Sequence, residues 1–270
     1  MIRVRIDSNK IYFMPLIIGP VFEHGKVPSL VYEELKVIAI QYETDFAAVS
    51  ALLPECYKAV EKPIVTAMFG YYNGVDFLAG GGYNIAAVSV DARFDGEKDH
   101  VKGGYILVIF ENDTIPITGG REHLGAPKVY ADISPHRTLP DGTLRCETSR
   151  RGHQLFGINV GTLKKQNVLV RSAAAKRLSD QPNLGYKYIP SLDSQPDASY
   201  PTLFLNDYRI DELWLGKTGN IFFGNAPKED IGWYKQVIDA LKTLPIRQVT
   251  QTVMFSGSQS LRYDLYRRLL

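Results

Sequence analysis

One segment of the chain is more informative than any other: Ile117-Thr-Gly-Gly-Arg-Glu-His-Leu-Gly-Ala-Pro-Lys128-Val-Tyr-Ala-Asp-Ile133. It combines three glycines, a proline, two acids and two basic groups, and apolar strand-like runs flank it on both sides. A connection between two strands ordinarily needs only a short polar turn. The composition of this segment therefore indicates a function beyond chain reversal.

Lys128 is the candidate nucleophile of the segment. An ordinary lysine amine has a pKa of about 10.4, so very little of it is unprotonated and able to attack a carbonyl at neutral pH. Burial in an apolar pocket, or a second cation close by, disfavours the ammonium form. Lys128 lies among Leu124, Ala126 and Ile133, and these neighbours favour a desolvated amine. The alternative interpretation is a solvated surface lysine, which is the commoner state of this residue type.

The segment resembles the signature of the acetoacetate decarboxylase family, in which Gly-Arg-Glu, four variable residues and Pro-Lys follow one another. Here the matching residues are Gly120-Arg121-Glu122 and Pro127-Lys128. In that family the lysine matching Lys128 forms a Schiff base with the ketone of the substrate, and the enzyme is a standard example of an activated lysine. The resemblance implies a carbon–carbon lyase that acts on an acetoacetate-like β-keto acid and needs neither a cofactor nor a metal.

Other parts of the chain match the same family in the same order. They are the strand Lys36–Tyr42, the pair Thr44-Asp45, the helix Phe46–Leu53, the segment Gln181-Pro-Asn183 and the segment Asp211-Glu-Leu-Trp-Leu-Gly216. The resemblance thus runs from about Leu35 to the C-terminus. It also implies assembly into a homo-oligomer.

The chain departs from the family pattern at several positions. Val129 stands where the family has a second lysine, so desolvation alone would have to favour the neutral amine. Ungapped counting places the family's two acidic partners near Gly81 and Thr66, and its arginine near Leu35. The groups that position the carboxylate of acetoacetate are therefore missing.

Three side chains are candidates to replace those groups in the substrate pocket: Glu34, Tyr83 and Tyr130. In an extended chain Tyr130 points to the same side as Lys128, although an aromatic residue lining a barrel would follow the same pattern. Related members of the superfamily keep the lysine and act as aldolase-dehydratases on pyruvate and an aldehyde. That reaction, through the same imine, is the alternative function.

Arg121 and Glu122 are candidates for binding an anionic substrate or for positioning the loop. A pair of opposite charges just before a catalytic residue more often forms an internal ion pair, and we favour that structural role. His123, at a variable position, is a possible proton carrier.

Composition limits the classes of partner. The net charge is +2 with signs mixed throughout, which gives no basis for binding nucleic acid. Cys56 and Cys146 lack the spacing of metal ligands. The longest N-terminal apolar run, Ile11–Phe22, is interrupted by Pro15 and Pro20, and no run reaches the roughly 18 residues of a membrane span. We therefore predict a cytoplasmic protein without a membrane partner or a metal.

Many aromatic and β-branched runs of similar length, with few helices, predict one α+β, mainly β domain over residues 1–270. We expect an antiparallel sheet curled into a barrel or cone with a few flanking helices, because closure removes unpaired edges and its mouth offers an apolar cavity. A barrel that merely binds an apolar small molecule is the non-enzymatic alternative.

Three further elements are predicted in the C-terminal half. A strand is expected at Asn167–Arg171, an amphipathic helix at Glu229–Leu244 and a C-terminal helix at Ser258–Leu270. The last rests on Leu261, Leu265 and Leu269, which recur every fourth residue.

Overall fold

The structure, a computed structural model, describes residues 5–27 and 30–270. Its helices are α1 (Phe46–Ser50), α2 (Thr114–Gly119), α3 (Val168–Asp180), α4 (Lys228–Ile231) and α5 (Tyr234–Lys242), and a π-helical turn spans Gly120–Leu124. Its strands are β1 (Lys10–Tyr12), β2 (Pro20–Glu23), β3 (Leu30–Glu43), β4 (Tyr57–Ala59), β5 (Ile64–Val75), β6 (Tyr83–Asp95), β7 (His100–Glu111), β8 (Lys128–Tyr130), β9 (Asp132–Ile133), β10 (Arg137–Thr138), β11 (Leu144–Arg150), β12 (His153–Val160), β13 (Lys164–Lys165), β14 (Asn183–Ile189), β15 (Ala198–Phe204), β16 (Asn206–Gly216), β17 (Gly219–Phe223), β18 (Gln248–Leu261) and β19 (Arg267–Arg268).

Most strands belong to one twelve-stranded sheet with the order β13-β16-β18-β3-β5-β6-β7-β14-β15-β19, in which β4 also pairs with β6 and β8 with β7. A five-stranded sheet has the order β10-β11-β12-β17 with β9 on β11, and β1 pairs with β2. The pairs β7–β8 and β7–β14 are parallel, whereas the neighbouring pairs of the main sheet are antiparallel. The predicted mainly β class with few helices is confirmed.

The predicted closure into a barrel is not found. Over residues 5–27 and 30–270 no sheet closes on itself, and the main sheet ends at β13 and β19. Each of these edge strands is only two residues long. Short edges leave few backbone groups unpaired, so an open sheet can be tolerated without closure.

The two faces of the main sheet carry two separate cores. Along β3, Ile38 and Ile40 face the first core, while Val37 and Ala39 face the second, as the two-residue repeat of a strand requires. The first core packs against the five-stranded sheet and α5, and the second lies under α3. The candidate site lies on the second face.

Several predicted elements differ in the structure. The strand at Asn167–Arg171 is wrong, because Asn167 caps α3 by accepting a hydrogen bond from the Val170 amide at 3.1 Å. The helix at Ser258–Leu270 is wrong as well, since β18 continues to Leu261 and pairs with β16 and β3. The helix predicted at Glu229–Leu244 is divided into α4 and α5 at Gly232, whose φ is 61°.

Among the helices that the structure describes, none is long and apolar enough to traverse a membrane.

Candidate active site

The loop before Lys128 is built from short helical turns. Asp113 caps α2 by accepting a hydrogen bond from the Ile115 amide at 2.8 Å. The chain then passes into the π-helical turn and leaves it through Gly125 in the left-handed region, with φ at 72°. A side chain at Gly125 would also meet the Cβ of Lys187 at 2.3 Å. Glycine therefore allows the tight turn that directs the chain back into the sheet as β8.

The pairing of β8 with β7 places a lysine beside a buried acid. Lys128 is paired with Ile109 and Tyr130 with Glu111. The Lys128 Nζ lies 2.8 Å from the Glu111 Oε1, and the two side chains are 13% and 2% exposed. The same Nζ donates a hydrogen bond to the Pro116 carbonyl at 3.0 Å. The amine is thus largely desolvated and held between a carboxylate and a carbonyl.

The pKa of the Glu111 carboxyl is shifted by its surroundings. Burial raises its pKa, and the Lys128 cation opposes that rise. Its second oxygen, Oε2, is buried and has no hydrogen-bond partner among the residues described. A carboxyl group in this state can hold or release a proton next to the amine.

Gly120 is required by the space that the lysine occupies. A Cβ at this position would lie 2.5 Å from the Lys128 Cε, 2.6 Å from its Cδ and 2.9 Å from its Nζ. The backbone of Gly120 is ordinary right-handed helix, with φ −65° and ψ −40°. The glycine of the Gly-Arg-Glu motif is therefore explained by close packing against the amine and not by backbone strain.

Buried tyrosines border Glu111 on the same face. Tyr83 lies two residues before Ile85, the residue that pairs with Glu111. The Tyr83 and Tyr32 hydroxyls are 3.2 Å apart, and the rings of both pack against Tyr72. Burial first, and then the nearby Tyr32 and Glu111, raise the pKa of Tyr83 well above its usual value. These phenols stay protonated and can donate hydrogen bonds.

The other two pocket candidates have different surroundings. The Tyr130 hydroxyl donates to the Asp132 Oδ1 at 3.2 Å, and the Arg150 guanidinium lies 5.4 Å from its ring centroid. Glu34 is exposed on β3 and borders a surface cavity that Lys36 also lines. Tyr130 pairs with Glu111 in the sheet, but its hydroxyl is bonded to Asp132. Tyr83 is the candidate that is buried among other tyrosines near Glu111.

Arg121 and Glu122 contact different partners. The Arg121 guanidinium donates to the Lys128 carbonyl at 3.0 Å, so it holds the backbone of β8. The Glu122 Oε2 accepts a hydrogen bond from the Met14 amide at 3.2 Å and so ties the N-terminal segment to the loop. Both contacts fix the position of the loop around Lys128.

His123 is buried against aromatic rings. Its ring stacks on Tyr263 with centroids 5.7 Å apart and 17° between the planes. Its Nδ1 is buried without a hydrogen-bond partner among the residues described, and burial and the Lys187 cation lower its pKa. His123 and Tyr263 both border a cavity of about 470 Å³ beside the loop.

Glu111 was missed by reasoning from the sequence. Its signal is an acid that directly ends an apolar run, Tyr105–Phe110, where a charged side chain would be costly unless it were paired.

The positions that depart from the family pattern have other surroundings. Val129 packs against the first core, so the side chain after Lys128 faces away from the amine. Leu35 is buried in the second core, and Thr66 bonds to Gln41. Over the residues described, no group of three or more His, Cys, Asp and Glu could hold a metal ion.

Comparison with known proteins gives a consistent family match. The family model described as acetoacetate decarboxylase (ADC) matches residues 13–266. Acetoacetate decarboxylase 1 of Bradyrhizobium diazoefficiens is 26% identical over 259 residues, which cover 93% of this chain and 90% of that protein. Acetoacetate decarboxylase of Chromobacterium violaceum is 30% identical over 195 residues, which cover 70% of each chain.

Solved structures share the fold. An acetoacetate decarboxylase structure superposes with a TM-score of 0.74 at 19% identity and covers 95% of this chain and 94% of its own. The enduracididine biosynthesis enzyme MppR in complex with pyruvate superposes with a TM-score of 0.69 at 16% identity and covers 97% of this chain and 99% of its own.

Proposed function

The chain belongs to the acetoacetate decarboxylase family, and we propose that it is a carbon–carbon lyase in which Lys128 forms a Schiff base with a small keto acid. The observation that carries the proposal is the buried pair in which the Lys128 Nζ lies 2.8 Å from the Glu111 Oε1. An imine-forming lysine needs to lose its proton without entering bulk water. The pair supplies both a dry amine and an acceptor.

The first step is formation of the imine. Glu111 takes the proton of the Lys128 ammonium, because burial raises the pKa of this carboxyl and a neutral pair is favoured over a charged one in a dry site. The neutral amine attacks the ketone carbon and gives a carbinolamine. Glu111 returns a proton to the hydroxyl, which leaves as water, and the protonated imine remains. Holding the amine and the ketone in a fixed relative orientation also supplies much of the rate enhancement.

The second step breaks the bond to the carboxylate. The protonated imine withdraws the electron pair of the bond between the α carbon and the carboxylate, so carbon dioxide leaves and an enamine forms. The α carbon then accepts a proton that the overall reaction takes up from solvent. The protonated phenol of Tyr83, or Glu111 after it has been protonated again, delivers this proton. Water hydrolyses the new imine, releases the ketone and restores Lys128.

A pyruvate aldolase-dehydratase reaction is the alternative. Its first step is the same, but the imine then loses a proton from the adjacent carbon and attacks an aldehyde. The observation in its favour is the buried Glu111 Oε2, which has no partner among the residues described and so provides a free base beside the amine. Carbon dioxide release from acetoacetate separates this reaction from decarboxylation. A new absorbance from pyruvate with an aromatic aldehyde identifies the aldol product.

Reductive trapping tests the proposal directly. The protein is treated with borohydride in the presence of acetoacetate or pyruvate and digested, and the peptides are analysed by mass spectrometry. We expect a reduced adduct at Lys128 and none in K128R, because a guanidinium stays protonated. Loss of turnover in K128R with an unchanged thermal unfolding midpoint would support a catalytic role. If no member of a panel of keto acids gives an adduct, Lys128 is an ordinary residue and a small-molecule binding protein becomes the better description.

A further inference from the structure

Lys128 lies at the end of a row of side chains that crosses six strands of the main sheet. Successive register pairs connect it to Ile109, Ala87, Met68, Ala39 and Val253. A second row starts at Glu111 and continues through Ile85, Gly70, Val37 and Phe255. Directly paired residues point to the same side of a sheet. The lysine, the acid and both rows therefore share the face that carries the second core.

This face holds a cavity of about 310 Å³ under α3. Its floor consists of residues from the two rows, Val37, Ala39, Met68, Val253 and Phe255. Its roof consists of Val170, Ala173, Ala174, Arg177 and Leu178 of α3. Apart from Arg177, the lining side chains that the structure describes are uncharged. A ligand pocket of this size and apolarity fits a small hydrophobic group.

Tyr72 connects the cavity with the candidate active site. Its ring forms part of the cavity wall. The Tyr72 hydroxyl lies 3.1 Å from the place where a Cβ of Gly70 would be, and Gly70 belongs to the row of Glu111. Burial, followed by nearby tyrosines and Glu111, raises the pKa of Tyr72 well above its usual value. The same aromatic ring thus borders both the cavity and the surroundings of the acid.

The two rows differ in what lies between the active site and the cavity. In the row of Lys128, Ala87 presents only a methyl group between Ile109 and Met68, whereas in the row of Glu111 the Tyr72 ring and hydroxyl lie over Gly70. From Lys128 to Met68 the row covers three strand spacings, or about 14 Å along the sheet. A lysine side chain covers only part of that distance. An extended group attached to the amine would cover the remainder.

We propose that the cavity under α3 binds the apolar tail of a substrate that is attached to Lys128 as an imine. The substrate class is a 3-oxo acid in which an alkyl or aryl group replaces the terminal methyl of acetoacetate, and the inference rests on the function proposed above. At about 30 Å³ for a group the size of a water molecule, the cavity holds a tail of roughly ten non-hydrogen atoms. The bond to the carboxylate breaks as in acetoacetate, and the products are carbon dioxide and the corresponding methyl ketone.

The helix that covers the cavity is only partly packed against the sheet. Val168 and Leu169, in the first turn of α3, are 57% and 78% exposed, and α3 contains no buried residue. It is joined to β16 by a hydrogen bond from the Tyr208 amide to the Ser179 Oγ at 2.9 Å. At the far end of the cavity the lining becomes polar, with Gln41, Thr66 and Gln251. These contacts define an apolar compartment with a polar limit.

The chain-length dependence of decarboxylation tests the inference. Carbon dioxide release is measured with 3-oxobutanoate, 3-oxooctanoate and 3-oxododecanoate as substrates, of which the last is long enough for its tail to enter the cavity. Each buried methylene contributes about 0.8 kcal/mol, so kcat/KM is expected to rise about fourfold per methylene until the cavity is full. A kcat/KM that stays constant or falls with chain length overturns the inference.

Substitutions on α3 locate the effect. A174L fills the cavity from its roof and is expected to lower the ratio of kcat/KM for 3-oxododecanoate to that for 3-oxobutanoate by about tenfold or more. S172L adds the same side chain on the exposed side of α3 and is expected to leave both the ratio and the activity unchanged. L178A enlarges the cavity and should move the optimum to a longer chain. Thermal unfolding shows whether each variant is folded. If A174L does not fold, L178A still tests where the tail binds. An unchanged ratio in A174L together with an unchanged optimum in L178A overturns the location.

Failure of the inference differs from failure of the proposed function. If borohydride traps 3-oxobutanoate at Lys128 but longer chains bring no gain, the tail compartment is wrong and the Schiff base stands. If no keto acid of any length is trapped, the Schiff base itself is wrong.

Discussion

Replacing Gly120 with alanine should impair catalysis without impairing folding. The new Cβ would lie 2.5 Å from the Lys128 Cε, whereas carbon atoms in contact are about 3.5–4.0 Å apart. The side chain of the lysine must therefore move by at least about 1 Å. The Nζ to Glu111 Oε1 distance of 2.8 Å would lengthen beyond hydrogen-bond range. A displacement of this size costs about 100-fold in rate.

The stability of G120A should change little, for two reasons. The atoms that must move belong to the flexible end of the Lys128 side chain. The backbone at Gly120 is in the right-handed helical region, which alanine adopts without strain. Replacing a helical glycine can even stabilise the folded state by about 0.4–1 kcal/mol. Carbon dioxide release and borohydride trapping measure the loss of function, and urea unfolding measures stability.

The neighbouring Gly119 offers a matched control. Its backbone is also right-handed, with φ −60° and ψ −40°, but a Cβ there meets the ring of Phe13 at 3.3 Å and not the lysine. G119A should therefore retain most of the activity. If folded G120A is within about threefold of G119A in kcat/KM, the amine does not have to occupy the position described, and the reasoning from Gly120 fails.

Three further predictions concern other groups. E111Q keeps the volume of the side chain but removes the proton acceptor, so kcat should fall by about 10²–10⁴-fold with slower imine trapping, and unchanged kinetics would exclude Glu111 from the chemistry. Burial lowers the pKa of His123 in the folded state, so its stabilising contribution is full above the unfolded value of about 6.5 and is lost as pH falls. Between pH 7.5 and pH 5, the free energy of unfolding in urea should therefore fall less for H123F than for the wild type. An equal fall in both proteins would contradict this. Burial raises the pKa of the Cys146 thiol to about 12, so a thiol reagent at pH 8 should label the half-buried Cys56 first and Cys146 only after unfolding, as peptide mass spectrometry would show.

The lysine could be found from the sequence because its signal is local. Gly120, Arg121 and Pro127 lie within eight residues of Lys128, and a short motif records their spacing. Glu111 could not be found in this way, because its contact with the amine depends on the parallel pairing of β7 and β8. That pairing is set by the complete fold of the loop between them.

The errors in the C-terminal half have a similar origin. The β-branched start of α3 favoured a strand, but the Asn167 cap and the alanines that follow favour a helix. The leucine spacing around Leu261 favoured a helix, but pairing of β18 with strands on both sides overrides such a local pattern. The barrel was expected from the number of strands, which does not determine whether two edges meet.

The spacing of the motif has a structural explanation that follows from the loop. From Gly120 the chain passes through one π-helical turn, reverses at Gly125 and enters β8, which brings Lys128 back over Gly120. Arg121 then holds the carbonyl of Lys128 at 3.0 Å and fixes the start of the strand. Because side chains alternate across a strand, a shift of one residue would direct the lysine into the first core, where Val129 packs. The motif therefore determines which face the amine occupies, whereas the sheet register determines which acid and which apolar surface it meets there.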